Sequence, residues 1–137
     1  MKVLDWYYKT WVDGIIIMRS VPNNKFLWKF YVMVFMTMAM FANLLTIITI
    51  IQRTTGTNFY SLHIHFFKDP KINSHIDFFI CFLLLPLLIN YFLIFRNNRY
   101  EILITKYKFY GGKLFLPYTV LSYIIPFIII FLVAISQ

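Results

Sequence analysis

The chain has 137 residues, of which 61% are hydrophobic and 13% are charged. Soluble domains carry roughly a quarter charged residues, so this composition argues against a soluble domain and predicts a single integral membrane domain over residues 1–137. The net charge of +8 would suit a nucleic-acid-binding protein. The basic residues, however, flank apolar segments, as they do in proteins at a membrane surface, so we expect no nucleic-acid partner. Cys81 is the only cysteine, which excludes an internal disulfide.

The N-terminal segment, residues 3–20, reads as an amphipathic helix. Tyr8, Trp11 and Ile15 fall on one helical face, whereas Lys9 and Asp13 fall on the other. Aromatic residues on the apolar face predict a helix that lies in the membrane interface. The alternative is a helix packed on a partner protein.

Residues 30–51 form the first predicted membrane span, because these 22 residues carry no charge. No small-residue cleavage site follows this run, so we expect it to remain as an anchor and not to be removed as a signal peptide. Small side chains form a seam along it, with an asparagine beside them, and small residues allow membrane helices to approach closely. We therefore predict that the seam packs against helices of this chain or of another copy. The seam and its neighbour are Ala39, Ala42, Asn43, Thr46 and Thr49.

The loop of residues 52–76 contains the histidines. His63 and His65 would share a face of an extended segment, and His75 and Asp77 follow. Such side chains bind zinc or copper, but their spacing matches no established metal-site pattern. We therefore expect neither a metal nor a cofactor, and keep His63, His65 and His75 as the candidate metal ligands.

The second predicted span covers residues 78–95, and Arg96-Asn97-Asn98-Arg99 ends it. Beyond it, apolar side chains recur with helical spacing, which predicts an amphipathic helix ending at Gly111-Gly112. The alternative is a β-hairpin turning at the same two glycines, because the segment is rich in residues that favour strands. The third predicted span covers residues 114–136, with Pro117 in its first turn.

Polar residues inside the last two spans predict one pairing. Counted at about 1.5 Å per residue from the ends of their spans, Asn90 and Ser122 both lie roughly 8–9 Å deep. We therefore predict that Asn90 pairs with Ser122 or Tyr123. Pro86 and Pro126 share a level near the centre of the bilayer, and we expect them to shape helix packing and not to form a functional hinge.

Asn43 is predicted to lie deeper, roughly 20 Å from the cytoplasmic end of its span. No polar side chain of the other two spans falls at that level. Its candidate partners are Thr46, Cys81 and Asn43 of another copy, and the last of these predicts self-association.

The distribution of charge predicts the orientation. The N-terminal segment and the loop between the second and third spans together carry 10 of the 13 basic residues, and three spans place both on one side. Basic loops stay in the cytoplasm, so we predict an inner-membrane protein with a cytoplasmic N-terminus and an external C-terminus. The basic side would face anionic lipid headgroups.

The stretch NYFLIFRNNRYEI at residues 90–102, followed by a terminal span, resembles small uncharacterised multi-pass membrane proteins of Bacteroidetes-type bacteria. That resemblance supplies no catalytic residues and no assigned activity. We expect an all-α membrane protein with three transmembrane helices and an N-terminal interfacial helix. Its expected role is non-enzymatic, either as a homo-oligomer or as a subunit of a membrane complex. A membrane-permeabilising effector or pore is the main alternative, and an enzyme that uses the histidines is a third.

Overall fold

The computed structural model describes residues 2–22, 26–56, 73, 77 and 80–135. Every secondary-structure element in these ranges is helical, which confirms the all-α prediction for this part of the chain. The α-helices, in chain order, are α1 (Lys2–Ser20), α2 (Trp28–Thr55), α3 (Leu85–Asn90), α4 (Arg99–Lys106) and α5 (Phe115–Ile135).

Helix α2 contains no glycine or proline over its 28 residues, which give it a length of about 42 Å at the helical rise. It ends at Gly56, whose left-handed backbone lets its N–H donate to the Gln52 carbonyl at 2.9 Å. Among the described helices, α2 is the one that is long and apolar enough to cross a membrane. The apolar part of α5, Phe115–Ile129, is shorter.

Residues 80–95, the described part of the second predicted span, are helical but irregular. Two π-helical turns, Ile80–Leu84 and Tyr91–Phe95, flank the short helix α3. Pro86, near the start of α3, has no N–H and would crowd the carbonyl four residues before it, which lies in the wider π-helical turn. The helical turn Tyr91–Phe95 ends just before Arg96, where the sequence predicts the end of this segment. Asn97 and Asn98 both have positive φ, which asparagine tolerates better than most residues.

Helix α4 ends at Lys106 and not at Gly111-Gly112, so the predicted end of this helix is wrong. Tyr107 is already in an extended conformation. The β-hairpin alternative is also wrong, because the segment between α4 and α5 forms turns and contains no strand. Pro117 lies in the first turn of α5, as predicted.

Helix α1 packs on the other helices of its own chain, an arrangement that neither sequence-based expectation included. Trp11, Val12 and Ile15 are completely buried, and they join a core with Trp28 and Val32 from the first two turns of α2. Helices α1 and α4 thus form a layer across one end of the bundle, which we call the base. Asp13, predicted on the polar outer face of α1, is also completely buried.

The first turn of α5 does not lie level with the first turn of α2. The ring of Phe115, the first residue of α5, lies 6.5 Å from that of Phe35. Phe35 is seven residues into α2, or about 10 Å along it. At this end of α5, Gly14 of α1 lies against the Phe115 ring, and the displacement decides which polar residues meet.

Candidate functional site

The buried carboxylate of Asp13 holds the segment that leads into α5. Its Oδ1 accepts hydrogen bonds from the backbone N–H groups of Tyr110 and Gly112, both at 3.0 Å. Its Oδ2 accepts bonds from the N–H groups of Leu114 at 3.0 Å and Phe115 at 3.2 Å. The first N–H groups of a helix have no partner within the helix, and a negative charge there is stabilised by the helix dipole. Asp13 therefore caps α5 from another helix.

Two glycines allow this approach. A Cβ atom on Gly14 would lie 2.6 Å from a ring carbon of Phe115, so only glycine lets α1 and α5 come so close. Gly112 has a φ of +84°, which residues with a side chain rarely adopt. A Cβ atom there would lie 2.8 Å from the Cδ1 atom of Ile17. Asp13 and Gly14 were not predicted as site residues, because Asp13 falls on the polar face of the amphipathic pattern and a single glycine in a helix gives no further signal.

Beside the anchored segment, a groove with a volume of about 290 Å³ lies along one face of α5, and Asn43 of α2 and Trp6 of α1 also line it. Pro117, Leu121 and Ile125 give it apolar walls. Lys113 lies at the end of the groove nearest the base, together with Trp6 of α1. The remaining lining residues are Asn43, Leu114, Tyr118 and Ser122.

The polar pair in this groove corrects two predictions. The Asn43 side-chain amide donates to the Ser122 hydroxyl at 2.9 Å. Asn43 therefore has a partner in its own chain that is neither Thr46 nor Cys81, and Ser122 does not pair with Asn90. The depth count assumed that the spans begin level, whereas α5 begins beside the second turn of α2.

Asn90 has different partners in the core. The Tyr7 hydroxyl donates to the Asn90 side-chain oxygen, and the Asn90 amide donates to the Thr37 hydroxyl at 3.1 Å. The predicted pairing with Ser122 or Tyr123 is wrong because α1 supplies Tyr7 at this level. Burial raises the pKa of Tyr7 to about 12, so its hydroxyl stays protonated and able to donate.

The seam of small residues on α2 lies partly inside the chain's own bundle. Ala39 and Thr46 are buried, whereas Ala42 and Thr49 are half-buried. The hydroxyls of Thr46 and Thr49 donate to the carbonyls four residues earlier, at 2.9 and 2.8 Å. These hydroxyls are thus occupied within α2 itself.

At the base, cations lie over aromatic rings. The guanidinium of Arg19 is 4.2 Å from the ring of Trp28 and 5.1 Å from that of Tyr100. Lys29 lies 4.8 Å from the same tyrosine ring. Arg19 also binds Glu101 at 2.6 Å, and this hydrogen bond holds the pKa of the Glu101 carboxyl below its usual range. The arrangement ties α1, α2 and α4 together through cation–π contacts.

The candidate metal ligands His63, His65 and His75 lie outside the described residues. Within the described part of the chain, no three histidine, cysteine or acidic side chains are grouped so that they could hold a metal ion.

Comparison of the chain with protein-family models, with characterised proteins and with solved structures gives no match.

Proposed function

We propose that the chain is a small, non-enzymatic integral membrane protein that assembles with itself or acts as a subunit of a membrane complex. The observation that carries the proposal is the apolar surface of α5. Phe127 is 74% exposed and Ile135 is 67% exposed. Between Leu116 and Ile135, large apolar side chains are exposed along the whole helix. Exposed apolar surface of this extent is typical of contact with lipid or with another protein.

The polarity of the bundle interior supports the same proposal. Asn90, Thr37 and Ser122 are buried, whereas the residues that follow or precede them, Tyr91, Met38 and Leu121, are exposed. Membrane proteins satisfy their polar groups internally and expose apolar side chains to acyl chains. In water, leaving this apolar surface exposed would cost about 25 cal/mol of free energy for each Å².

The proposed topology has three spans, formed by α2, residues 80–95 and α5. Of the ten described basic side chains, nine lie on α1, on the first turn of α2, or between residues 96 and 113. All of these segments belong to the base or adjoin it, and Arg53 lies at the other end of α2. The base then faces the cytoplasm and its anionic lipid headgroups, with the C-terminus outside.

The hydrogen bonds that the polar side chains of the interior make within the chain support a structural role. Asp13 caps α5, Asn90 joins α1 to α2, and Asn43 joins α2 to α5. Each of these side chains is engaged by the fold itself. Assembly with a further membrane helix is supported by the outward face of α5, where Phe127 and Phe131 project.

Topology is tested by cysteine labelling of whole cells in a Cys81→Ser background. With three spans, Lys106→Cys should be protected from a membrane-impermeant maleimide, whereas Gln137→Cys should react. Labelling of Lys106→Cys in intact cells would contradict the three-span topology, since a single span through α2 would place α4 outside. Cell lysis provides the matched control, because it should expose both positions.

Membrane insertion and assembly need separate measurements. The protein should remain in the membrane pellet after alkaline carbonate washing, and release into the supernatant would refute integral insertion. Chemical cross-linking before solubilisation should capture a second polypeptide or a second copy. A purely monomeric product would refute assembly. A collapse of membrane potential on expression would instead favour the pore.

A further inference from the structure

The α5 residues that line the groove extend over most of the thickness of one lipid leaflet. From Pro117 to Ile125 is eight residues, or about 12 Å at the helical rise. The hydrocarbon core of a bilayer is about 30 Å thick, so one leaflet contributes about half of this. The groove therefore extends from the base to about the bilayer centre in the proposed topology.

The walls of the groove suit an acyl chain. Pro117, Leu121 and Ile125 line it on the α5 side. The polar groups in its floor, Asn43 and Ser122, bond to each other. An apolar chain thus meets apolar side chains along most of the groove.

The mouth of the groove is positively charged. Lys113 is exposed and forms no ion pair with a described carboxylate. Two carboxylates of α1 are already engaged, since Asp13 accepts four backbone bonds and Asp5 accepts from the Tyr107 hydroxyl at 2.7 Å. Asp13 also holds the backbone on either side of Lys113, which keeps this cation at the mouth.

Trp6 completes the mouth. It is 46% exposed and packs edge-to-face on Tyr118, with ring centroids 5.6 Å apart. Indole rings favour the headgroup level of a bilayer because one edge is polar and the rest is apolar.

We infer that this groove binds a single phospholipid with an anionic headgroup. One acyl chain lies along Leu121 and Ile125, and the headgroup phosphate lies beside Lys113 and Trp6. This inference rests on the proposed membrane function. It identifies one lipid position on the protein, whereas the positive charge of the base as a whole would attract any anionic surface.

The headgroup test uses protein purified in mild detergent and titrated with phosphatidylglycerol or with phosphatidylcholine of the same chains. Bound lipid is counted by native mass spectrometry. Lys113→Gln should weaken phosphatidylglycerol binding about fivefold, the effect of one basic side chain near an anionic phosphate. Lys106→Gln, a change at the base but outside the groove, should leave it unchanged. Equal loss in both variants would overturn a specific site.

The acyl-chain test fills the groove. Leu121 and Ile124 are exposed to the same degree, at 51% and 49%, but only Leu121 lines the groove. Leu121→Trp should abolish binding of the single lipid, whereas Ile124→Trp should retain it. Retention of the lipid by Leu121→Trp with an unchanged melting temperature would overturn the inference. Should Leu121→Trp fail to fold, the phosphatidylglycerol titration of Lys113→Gln alone tests the inference.

The two proposals fail in distinguishable ways. A protein that resists carbonate extraction but binds both lipids equally refutes the lipid site and leaves the membrane function intact. A protein found in the soluble fraction refutes both.

Discussion

The carboxylate of Asp13 on the first helix accepts the backbone N–H of Phe115, the first residue of the last helix, at 3.2 Å. The two residues are 102 positions apart in the sequence. Helix caps are usually supplied by the residue just before the helix. Here the cap is tertiary, so the start of α5 depends on the docking of α1.

Asp13→Asn should strongly destabilise the protein. An amide has one acceptor oxygen where the carboxylate has two, so at least two buried N–H groups lose their partner. Bonds to a charged group contribute about 1.5–3 kcal/mol each, and we expect a loss of about 3 kcal/mol in the free energy of unfolding. Thermal melting in detergent measures this. Asp5→Asn, which changes the exposed acceptor of Tyr107, is the matched control and should cost far less. Equal melting temperatures for Asp13→Asn and wild type would refute the capping role.

Gly14→Ala should destabilise the contact between α1 and α5. The new methyl group would lie 2.6 Å from the Phe115 ring. Overpacking costs about 1–3 kcal/mol, while alanine in a helix regains about 1 kcal/mol, so we expect a net loss of about 1 kcal/mol. Adding Phe115→Leu should relieve the clash, and the double-mutant cycle measures the coupling. Strictly additive effects would show that the two residues do not collide.

Asn90→Leu should destabilise the protein more than Asn43→Leu. Removal of Asn90 leaves the hydroxyls of half-buried Tyr7 and buried Thr37 without this partner, whereas removal of Asn43 affects one hydroxyl that can bond to its own helix. Interhelical bonds in membranes average about 0.6 kcal/mol and reach about 1.7 kcal/mol. We expect the free energy of unfolding in detergent to fall by about the average value for Asn43→Leu and by about the maximum value for Asn90→Leu.

Asn43→Leu also tests the predicted self-association through Asn43. Because Asn43 is bonded to Ser122 in its own chain, Asn43→Leu should leave the oligomeric mass in detergent unchanged. A shift to smaller species would restore Asn43 as a contact between copies.

The ion pair of Arg19 and Glu101 should give a small pH dependence. Arg19 lowers the pKa of Glu101 in the folded protein, so the pair contributes stability above the ordinary carboxyl pKa of 4.5. This contribution is lost as the pH falls through the lowered pKa. Because the Glu101 side chain is 54% exposed, we expect at most about 0.5 kcal/mol. Melting curves from pH 7 to pH 3.5 should show this slope in wild type and lack it in Glu101→Gln. The same slope in both proteins would exclude Glu101 as its source.

Local sequence was sufficient wherever the deciding interaction is local. The charge-free run within α2 predicts a helix because it is long enough to cross a bilayer, where the backbone must bond to itself, and no glycine or proline interrupts it before Gly56. The turn at Asn97 and Asn98 follows from the tolerance of asparagine for positive φ. Pro117 in the first turn of α5 was predictable for the same kind of reason, since proline lacks the N–H that is unpaired there.

Which polar residues meet was not predictable in this way. The depth count treated the predicted spans as starting at one level, but Phe115 lies beside Phe35 in the second turn of α2. That displacement brings Ser122 to Asn43 and leaves Asn90 to Tyr7. A hydrophobic pattern reports which face of a helix is buried, but not how far one helix is shifted along another.

The sequence by itself therefore determined the helical class, the charge asymmetry and the apolar segments, because these depend on residue type and spacing along one chain. Tertiary structure alone decided that α1 belongs to the core, that Asp13 caps α5, and that Lys113 stands at the mouth of an apolar groove. The physical reason is that a buried charge needs partners from wherever the fold can supply them. For Asp13 these are the backbone N–H groups of residues 110, 112, 114 and 115, about a hundred positions away.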